Sequence, residues 1–208
     1  MYNIFTKNTY RTMNFDRLFE IKSNTLKVKS GEILISEPFL SDVYFTRSVI
    51  FLVDHDEDTG SLGVIINKRL SLKINDIIDD FPKFDGDVYL GGPVATDSIF
   101  FIHTLGVMIP DSIEIHDGIF WSGNINAVKA LIREGFVTKH DIRFYVGYAG
   151  WDAGQLVSEL KRNSWLVGQI SSKLILTTNP SKMWSEFVNV MGEKYKFWNK
   201  FPINPNDN

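Results

Sequence analysis

None of the 208 residues is cysteine. That absence removes disulfides, thiol nucleophiles and cysteine-based zinc sites together, and it fits a reducing cytoplasm. Long apolar runs are missing too. Stretches such as Val49–Val53 and Val64–Ile66 have the length of strands, well short of the ~20 residues that span a bilayer. The opening MYNIFTKNTYRT has no basic segment leading into an apolar one, so no secretory signal is expected. With 22 Lys+Arg against 25 Asp+Glu, the net charge is −3, and no basic excess faces a phosphate backbone. No helix-turn-helix pair with a basic recognition helix is legible, so specific duplex-DNA binding is not expected. Neither GxGxxG nor GxxxxGK[ST] occurs, and the histidines lack HxxxH spacing, so no cofactor and no metal are expected.

What is present is ordinary globular composition: 44% hydrophobic and 23% charged residues, enough for one substantial core or one domain with a smaller lobe. Aromatics reach 13%, including 16 Phe and 5 Trp, which fills a core and leaves a surplus for an interface.

The chain is organised around FYVGYAGWDAGQLVSEL, Phe144–Leu160. It reads as a strand over Asp141–Val146, a turn carrying Gly147 and Gly150, and a helix opening near Asp152. Asp152 suits the N-cap, Gln155 completes a capping box, and Trp151 with Leu156 forms a hydrophobic staple. A strand turning sharply into a helix aims free N–H groups at one spot, which suits anions. Upstream, Gly31–Glu37, Arg47–Asp54, Leu62–Asn67, Val88–Leu90 and Ser98–His103 read as strands, the second and third paired as a hairpin. Ile113–His116 and Gly118–Trp121 read as a small antiparallel pair. Ile74, Ile77, Ile78 and Phe81 give a helical stripe that Pro82 stops. A better-defined helix runs from its cap Asn124 through Ile125, Val128, Leu131 and Ile132 to Gly135. Downstream, Val167 starts a short strand, Lys173–Thr177 forms another, and Ser181 caps a last helix with Trp184, Phe187, Val188 and Met191 on one face. Such irregular interleaving argues for an α/β fold of mixed α+β character rather than a strict βαβ series. Residues 1–30, with a short stripe at Phe15, Leu18, Phe19 and Ile21, read as an arm, and 193–208 as a polar tail. Deleting 1–12 is expected to leave stability unchanged.

Several unusual strings fall in order: PFLSDVYFTRSV (38–49), DH (54–55), GSLGVIINK (60–68), LGGPV (90–94), FIH (101–103), GYAGWDAGQLVSEL (147–160) and Trp165. Together they resemble the AlgH/YqgE family of small bacterial proteins, over roughly Gly31–Gly192, which makes 31–192 a single domain. The resemblance implies a mixed β-sheet flanked by helices, with a smaller two-layer α+β lobe inserted. Most members have no established biochemical function, and some carry the label of transcriptional regulator. Where the family often has glutamate before the histidine, this chain has Asp54, a shorter carboxylate.

The candidate chemistry is spread along the chain. Arg47, opening a strand after a turn, can bind phosphate or carboxylate bidentately, or pair with a structural acid such as Asp42 or Glu159. His55 and His103 end their strands, where open sheets place sites, and could act as acid and base or be satisfied structural histidines. Ser48 with His55 allows a nucleophile triad on paper, though no G-x-S-x-G elbow frames it. Gly91 and Gly92 permit close backbone approach to a ligand or to the GYAGW turn. Asn67 ends a strand, bonding a ligand or capping a turn. Gly147 shapes the turn, Tyr148 reads as a pocket wall and Glu159 as a buried polar partner. Two functions follow. One is a non-catalytic ligand- or partner-binding module, with a cleft formed by the GGP and GYAGW turns. The other is an enzyme for a phosphorylated or carboxylated small molecule, with Arg47 as anchor and His55 or His103 as acid–base. The missing nucleophile, metal and cofactor motifs favour the first, with a small anionic ligand or a protein as partner. The second requires Arg47, His55 and His103 to share one pocket.

Overall fold

The computed structural model describes residues 27–40 and 42–202. The expectations for residues 1–12, for the Phe15–Ile21 stripe and for 203–208 lie outside them. The elements are β1 (Glu32–Ser36), β2 (Val49–Asp56), β3 (Gly60–Ile65), β4 (Arg69–Lys73), β5 (Asp87–Leu90), β6 (Val94–His103), β7 (Ile113–His116), β8 (Ile119–Trp121), α1 (Ile125–Arg133), β9 (Ile142–Trp151), α2 (Gln155–Lys161), β10 (Trp165–Gln169), α3 (Ser172–Thr177), α4 (Pro180–Val190) and α5 (Glu193–Lys196). Among the described residues no helix is long and apolar enough to cross a membrane.

β9 is the hub. The strand order is β10-β1-β2-β3-β9-β6-β8-β7, with β4 and β5 attached through β9. β3 pairs with the last three residues of β9, Ala149–Trp151, while β5 runs parallel to Phe144–Val146. β6 follows the opposite edge, antiparallel, from Val94↔Tyr148 to His103↔Ile142. One strand therefore belongs to both halves of a mixed sheet.

Period-two alternation explains the apolar runs. Ile33, Ile35, Val49, Phe51 and Val53 enter one core together with Trp184, Phe187 and Val188 of α4. Leu34, Ile50 and Leu52 point the other way, into a core closed by Leu156 and Leu160 of α2. A strand covered on both faces is apolar at every position, and each such side chain contributes about 1.5–3 kcal/mol on burial. The smaller lobe sets Val128 and Ile132 of α1 against Val88, Phe101 and Phe144. The architecture is the mixed α+β sheet flanked by helices, with a two-layer lobe, that the family resemblance implied.

Local assignments differ in six places. Arg69–Lys73, read as no element, is strand β4. The start of the expected polar tail is helical over Glu193–Lys196 and Phe197–Lys200, and Tyr195 and Trp198 pack on the core there. Lys173–Thr177, read as a strand, lies in helix α3, where Leu174, Ile175 and Leu176 are all buried against the α4 side of the sheet. A short apolar run has no period that separates the two states. The stripe from Ile74 to Phe81 forms only a 3-10 turn over Ile74–Asp76. The Asn75 side chain bonds Phe81 O, Pro82 O and Phe84 N and folds the segment back before a second helical turn develops. α4, the helix expected to be the last, is capped by Asn179 rather than Ser181, with Pro180 in its first turn. Finally, the GYAGW segment is strand, not turn: β9 continues through Trp151 because Ala149–Trp151 supply the ladder to β3. α2 then opens at Gly154, and Asp152 contributes its backbone N–H, not its carboxylate, to Gln155 Oε1 at 3.0 Å. Half of the expected capping box is made. Trp151 and Leu156 share a core, but with Gly154 at the cap they do not occupy the N′ and N4 positions of a staple.

Candidate functional site

The glycines of the two signature strings meet backbone to backbone. Gly91 N donates to Val146 O, and Gly91 O accepts from Ile65 N, each at 2.8 Å. A β-carbon on Gly91 would stand 2.1 Å from Gly147 O, and one on Gly92 would stand 2.2 Å from the Tyr148 carbonyl carbon. Gly147 adopts φ +66 between the β5 and β3 segments of β9. These three glycines let β5 and β9 close on each other, and they hold Tyr148 at the break.

Tyr148 is half-buried. Its ring meets Phe100 edge-on at 5.6 Å, and Phe100 stacks on Trp121 at 5.3 Å. With Val94, Leu62, Ser61, Trp151, Asp54 and Asp152 it lines a shallow cleft of about 390 Å³. The cleft lies where β6 loses register with β9 between Val94 and Ile99. Two carboxylates stand in its lining, and the hairpin tip beside it carries more. Asp56 accepts from Thr59 N, Thr59 Oγ1 and Asp58 N, and those bonds hold its pKa below the usual carboxylate value. His55 Nδ1 lies 2.7 Å from Ser61 Oγ at the same end of the hairpin.

The other candidates lie elsewhere. Arg47 opens toward the carboxy-terminal segment, where Nη2 donates to Phe201 O and, at 3.2 Å, to Pro202 O, and its guanidinium sits 4.8 Å from the Trp184 ring. Among the described residues it pairs with neither Asp42 nor Glu159. Asn67 clamps the start of β2, accepting from Val49 N at 2.8 Å and donating to Arg47 O at 2.9 Å. Ser48 is fully buried beside Ser36, whose Oγ accepts its N–H. It stands seven residues from His55 along one strand, roughly 23 Å at ~3.3 Å per residue. His103 is fully buried; Nε2 lies 3.0 Å from Ser122 O and Nδ1 accepts from Leu105 N, which assigns the ring proton to Nε2. Burial pushes its pKa below the ordinary value, against the Ser122 bond. Glu159 receives the indole N–H groups of Trp151 and Trp165 and the Gln155 amide. The structure thus gathers Gly91, Gly92, Gly147 and Tyr148, sets His55 against Ser61 of the Tyr148 cleft, and leaves Arg47, His55 and His103 without a common cavity among the described pockets.

The AlgH-like family model (DUF179) matches residues 33–196, which takes in every strand from the middle of β1 and all three signature glycines. The chain belongs to the AlgH-like family. Among similar AlgH-like chains, the UPF0301 protein BF2109 of Bacteroides fragilis is 44% identical over 193 residues, covering 92% of this chain and 97% of its own length. A UPF0301 protein of Bacteroides thetaiotaomicron is 42% identical over 198 residues, with 94% and 100% covered. In solved structures, the chain resembles the AlgH protein of Pseudomonas aeruginosa with a TM-score of 0.67 at 28% identity, covering 83% of this chain and 94% of that one. Protein DIP2367 of Corynebacterium diphtheriae has the same fold, with a TM-score of 0.69 at 20% identity over 84% and 93% of the two chains.

Sequence reasoning missed Val94, Leu62 and Ser61 as cleft residues, and it assigned Trp151 and Asp152 to helix capping alone. Only the β3–β9 and β6–β9 pairings bring these five together, so no local signal could have found them.

Proposed function

We propose that this AlgH-like protein is a non-catalytic binding module whose cleft at Tyr148 receives a cationic group of a ligand or of a partner protein. The observation that carries the reading is the half-buried Tyr148 ring sharing one cleft with the carboxylates of Asp54 and Asp152. Aromatic faces and carboxylates both favour a cation. The cleft's volume falls within the roughly 300–1,000 Å³ usual for small-ligand sites. A binding role is further supported by the bonding of Arg47 and His103, which are spent on backbone carbonyls and a backbone N–H rather than presented together. A cytoplasmic location belongs to this reading on the strength of the missing cysteine. Any regulatory effect would pass through the bound partner rather than through DNA.

The test is a thermal-shift screen of amines, guanidinium compounds and basic peptides, followed by amide chemical-shift mapping. Ligands that bind the cleft perturb residues 59–62 and 148–152, and Tyr148→Ala abolishes the response while Asp54→Asn weakens it. Ligands that leave those amides unmoved, or that bind Tyr148→Ala as well as the parent, refute the reading.

A further inference from the structure

A second cavity, of about 190 Å³, opens where β5, the start of β9 and the α3–α4 junction meet. Its walls include Tyr89, Lys139, Arg143, Thr178 and Asn179. Arg143 is 6% exposed. Nη1 donates to Ile66 O at 3.1 Å and Nη2 to Leu176 O at 3.0 Å, and the guanidinium lies 4.4 Å from the Tyr89 ring. The buried Tyr145 hydroxyl lies close enough to feel the charge without making a hydrogen bond of normal geometry. No carboxylate pairs with Arg143 among the described residues. A guanidinium has five N–H donors, so two carbonyls leave most of its donor capacity unused, and its charge has no counter-ion among the described residues.

The neighbouring charges do not supply the missing counter-ion. Asp85 and Asp87 are the carboxylates in the lining, and both are already engaged: Lys73 bonds Asp85 at 2.7 Å and Asp87 at 2.6 Å, Arg69 reaches Asp87 at 3.3 Å and Lys139 reaches Asp85 at 3.4 Å. Lys139 and Arg143 are the lining's cations, while Arg69 and Lys73, outside the lining, share Asp85 and Asp87; the whole cluster of four cations and two carboxylates carries a surplus of two positive charges. The first turn of α4, at Asn179–Pro180, adds the positive end of a helix to one wall.

We propose that this cavity binds a phosphate group, with the buried Arg143 as its anchor and the exposed Lys139 at its entrance. A dianion matches the surplus of two charges better than a monocarboxylate does. The cavity is smaller than the roughly 300–1,000 Å³ of drug-sized sites, which suits a single oxyanion. The source is free phosphate or the phosphate of a small monoester. This site shares no lining residue with the Tyr148 cleft, so either assignment can fail without the other.

The full chain is titrated with inorganic phosphate, with a simple phosphomonoester and with chloride at matched ionic strength, following amide shifts. Saturable changes confined to residues 139–143 and 176–179, given by phosphate or the ester but not by chloride, are expected. Saturation by the ester alone identifies a phosphorylated metabolite as the source. Lys139→Gln weakens binding roughly tenfold, as loss of one charge-assisted contact does, and Arg143→Lys or Arg143→Gln abolishes it. If the Arg143 variants fail to fold, the parent titration and Lys139→Gln still decide. Non-saturating changes, an equal response to chloride, or unaltered affinity in Lys139→Gln would overturn the proposal.

Discussion

Replacing Glu159 tests how the signature stretch is held together. Its Oε2 accepts from Trp151 Nε1 at 2.9 Å and from Trp165 Nε1 at 2.7 Å, while Oε1 accepts from Gln155 Nε2 at 2.9 Å. Both indoles are buried, and their rings meet edge to face at 6.0 Å. Glu159→Ala leaves two buried N–H groups without a protein acceptor. Each such loss costs about 1–3 kcal/mol. The carboxylate itself is half-exposed, so water partly replaces it and the total falls at about 2–4 kcal/mol. That is a large share of the ~5–15 kcal/mol by which a domain is stable. Glu159→Gln separates charge from geometry. Both indoles converge on one oxygen, which an amide retains, so the cost should fall to about 1–2 kcal/mol, the loss of charge assistance. Urea unfolding followed by far- and near-ultraviolet circular dichroism measures both variants. Glu159→Ala within about 0.5 kcal/mol of the parent would refute the reasoning, since such a value is typical of an ordinary surface site. Equal costs for Ala and Gln would show that charge, not the shared oxygen, holds the indoles.

Asp152→Ala should cost less than about 0.5 kcal/mol, because Gly154 opens α2 and only the Asp152 backbone is bonded; a urea midpoint showing the usual N-cap loss would restore its carboxylate as the cap. Gly92→Ala drives a β-carbon into the Tyr148 carbonyl and should cost about 3 kcal/mol or more, whereas Gly135→Ala, with φ +79 and nothing within 4 Å, should cost about 1 kcal/mol. Thermal melts that fail to separate the two glycine variants would contradict the close approach of β5 and β9. His103 has its pKa lowered by burial, so the fold favours the neutral ring. Its contribution is complete above the ordinary value of about 6.5 and is lost as pH falls through the lower folded value. Unfolding free energies of the parent and His103→Gln should therefore converge from about pH 7.5 to about pH 5, and a constant difference across that range would count against a buried neutral imidazole.

Much of the fold is legible in the order of residues. Apart from β4 (Arg69–Lys73), whose RLSLK carries too few apolar residues to signal a strand, the strands from Glu32 to Trp121 announce themselves because β-branched and aromatic residues alternate or run continuously between turn residues. α1 is equally plain, since Asn124 accepts from Asn126 N and Ala127 N as its position predicts. The family strings carry the architecture further than periodicity does, down to the smaller lobe. Where sequence reading fails, a local pattern is compatible with two states and a distant contact chooses. KLILT is helix because three consecutive apolar residues find burial beside α4, and GYAGW is strand because β3 needs a partner.

The candidate site divides the same way. Gly91, Gly92, Gly147 and Tyr148 are readable as a unit, because glycines in two strings signal backbones that approach each other. Glu159 is readable as a polar partner, although not whose. The sequence says nothing, however, about which cations keep their charge uncompensated. Arg47 and Arg143 both stand beside apolar strand residues, and only the assembled chain shows Arg47 bonded to the carbonyls of Phe201 and Pro202, with Arg143 enclosed beside a cavity. Ile66 and Leu176, whose carbonyls hold Arg143, stand 77 and 33 residues from it along the chain. Propensity and periodicity act over one turn or one pleat. The balance of charge in a cavity is set by every segment that closes around it, so tertiary packing decides it.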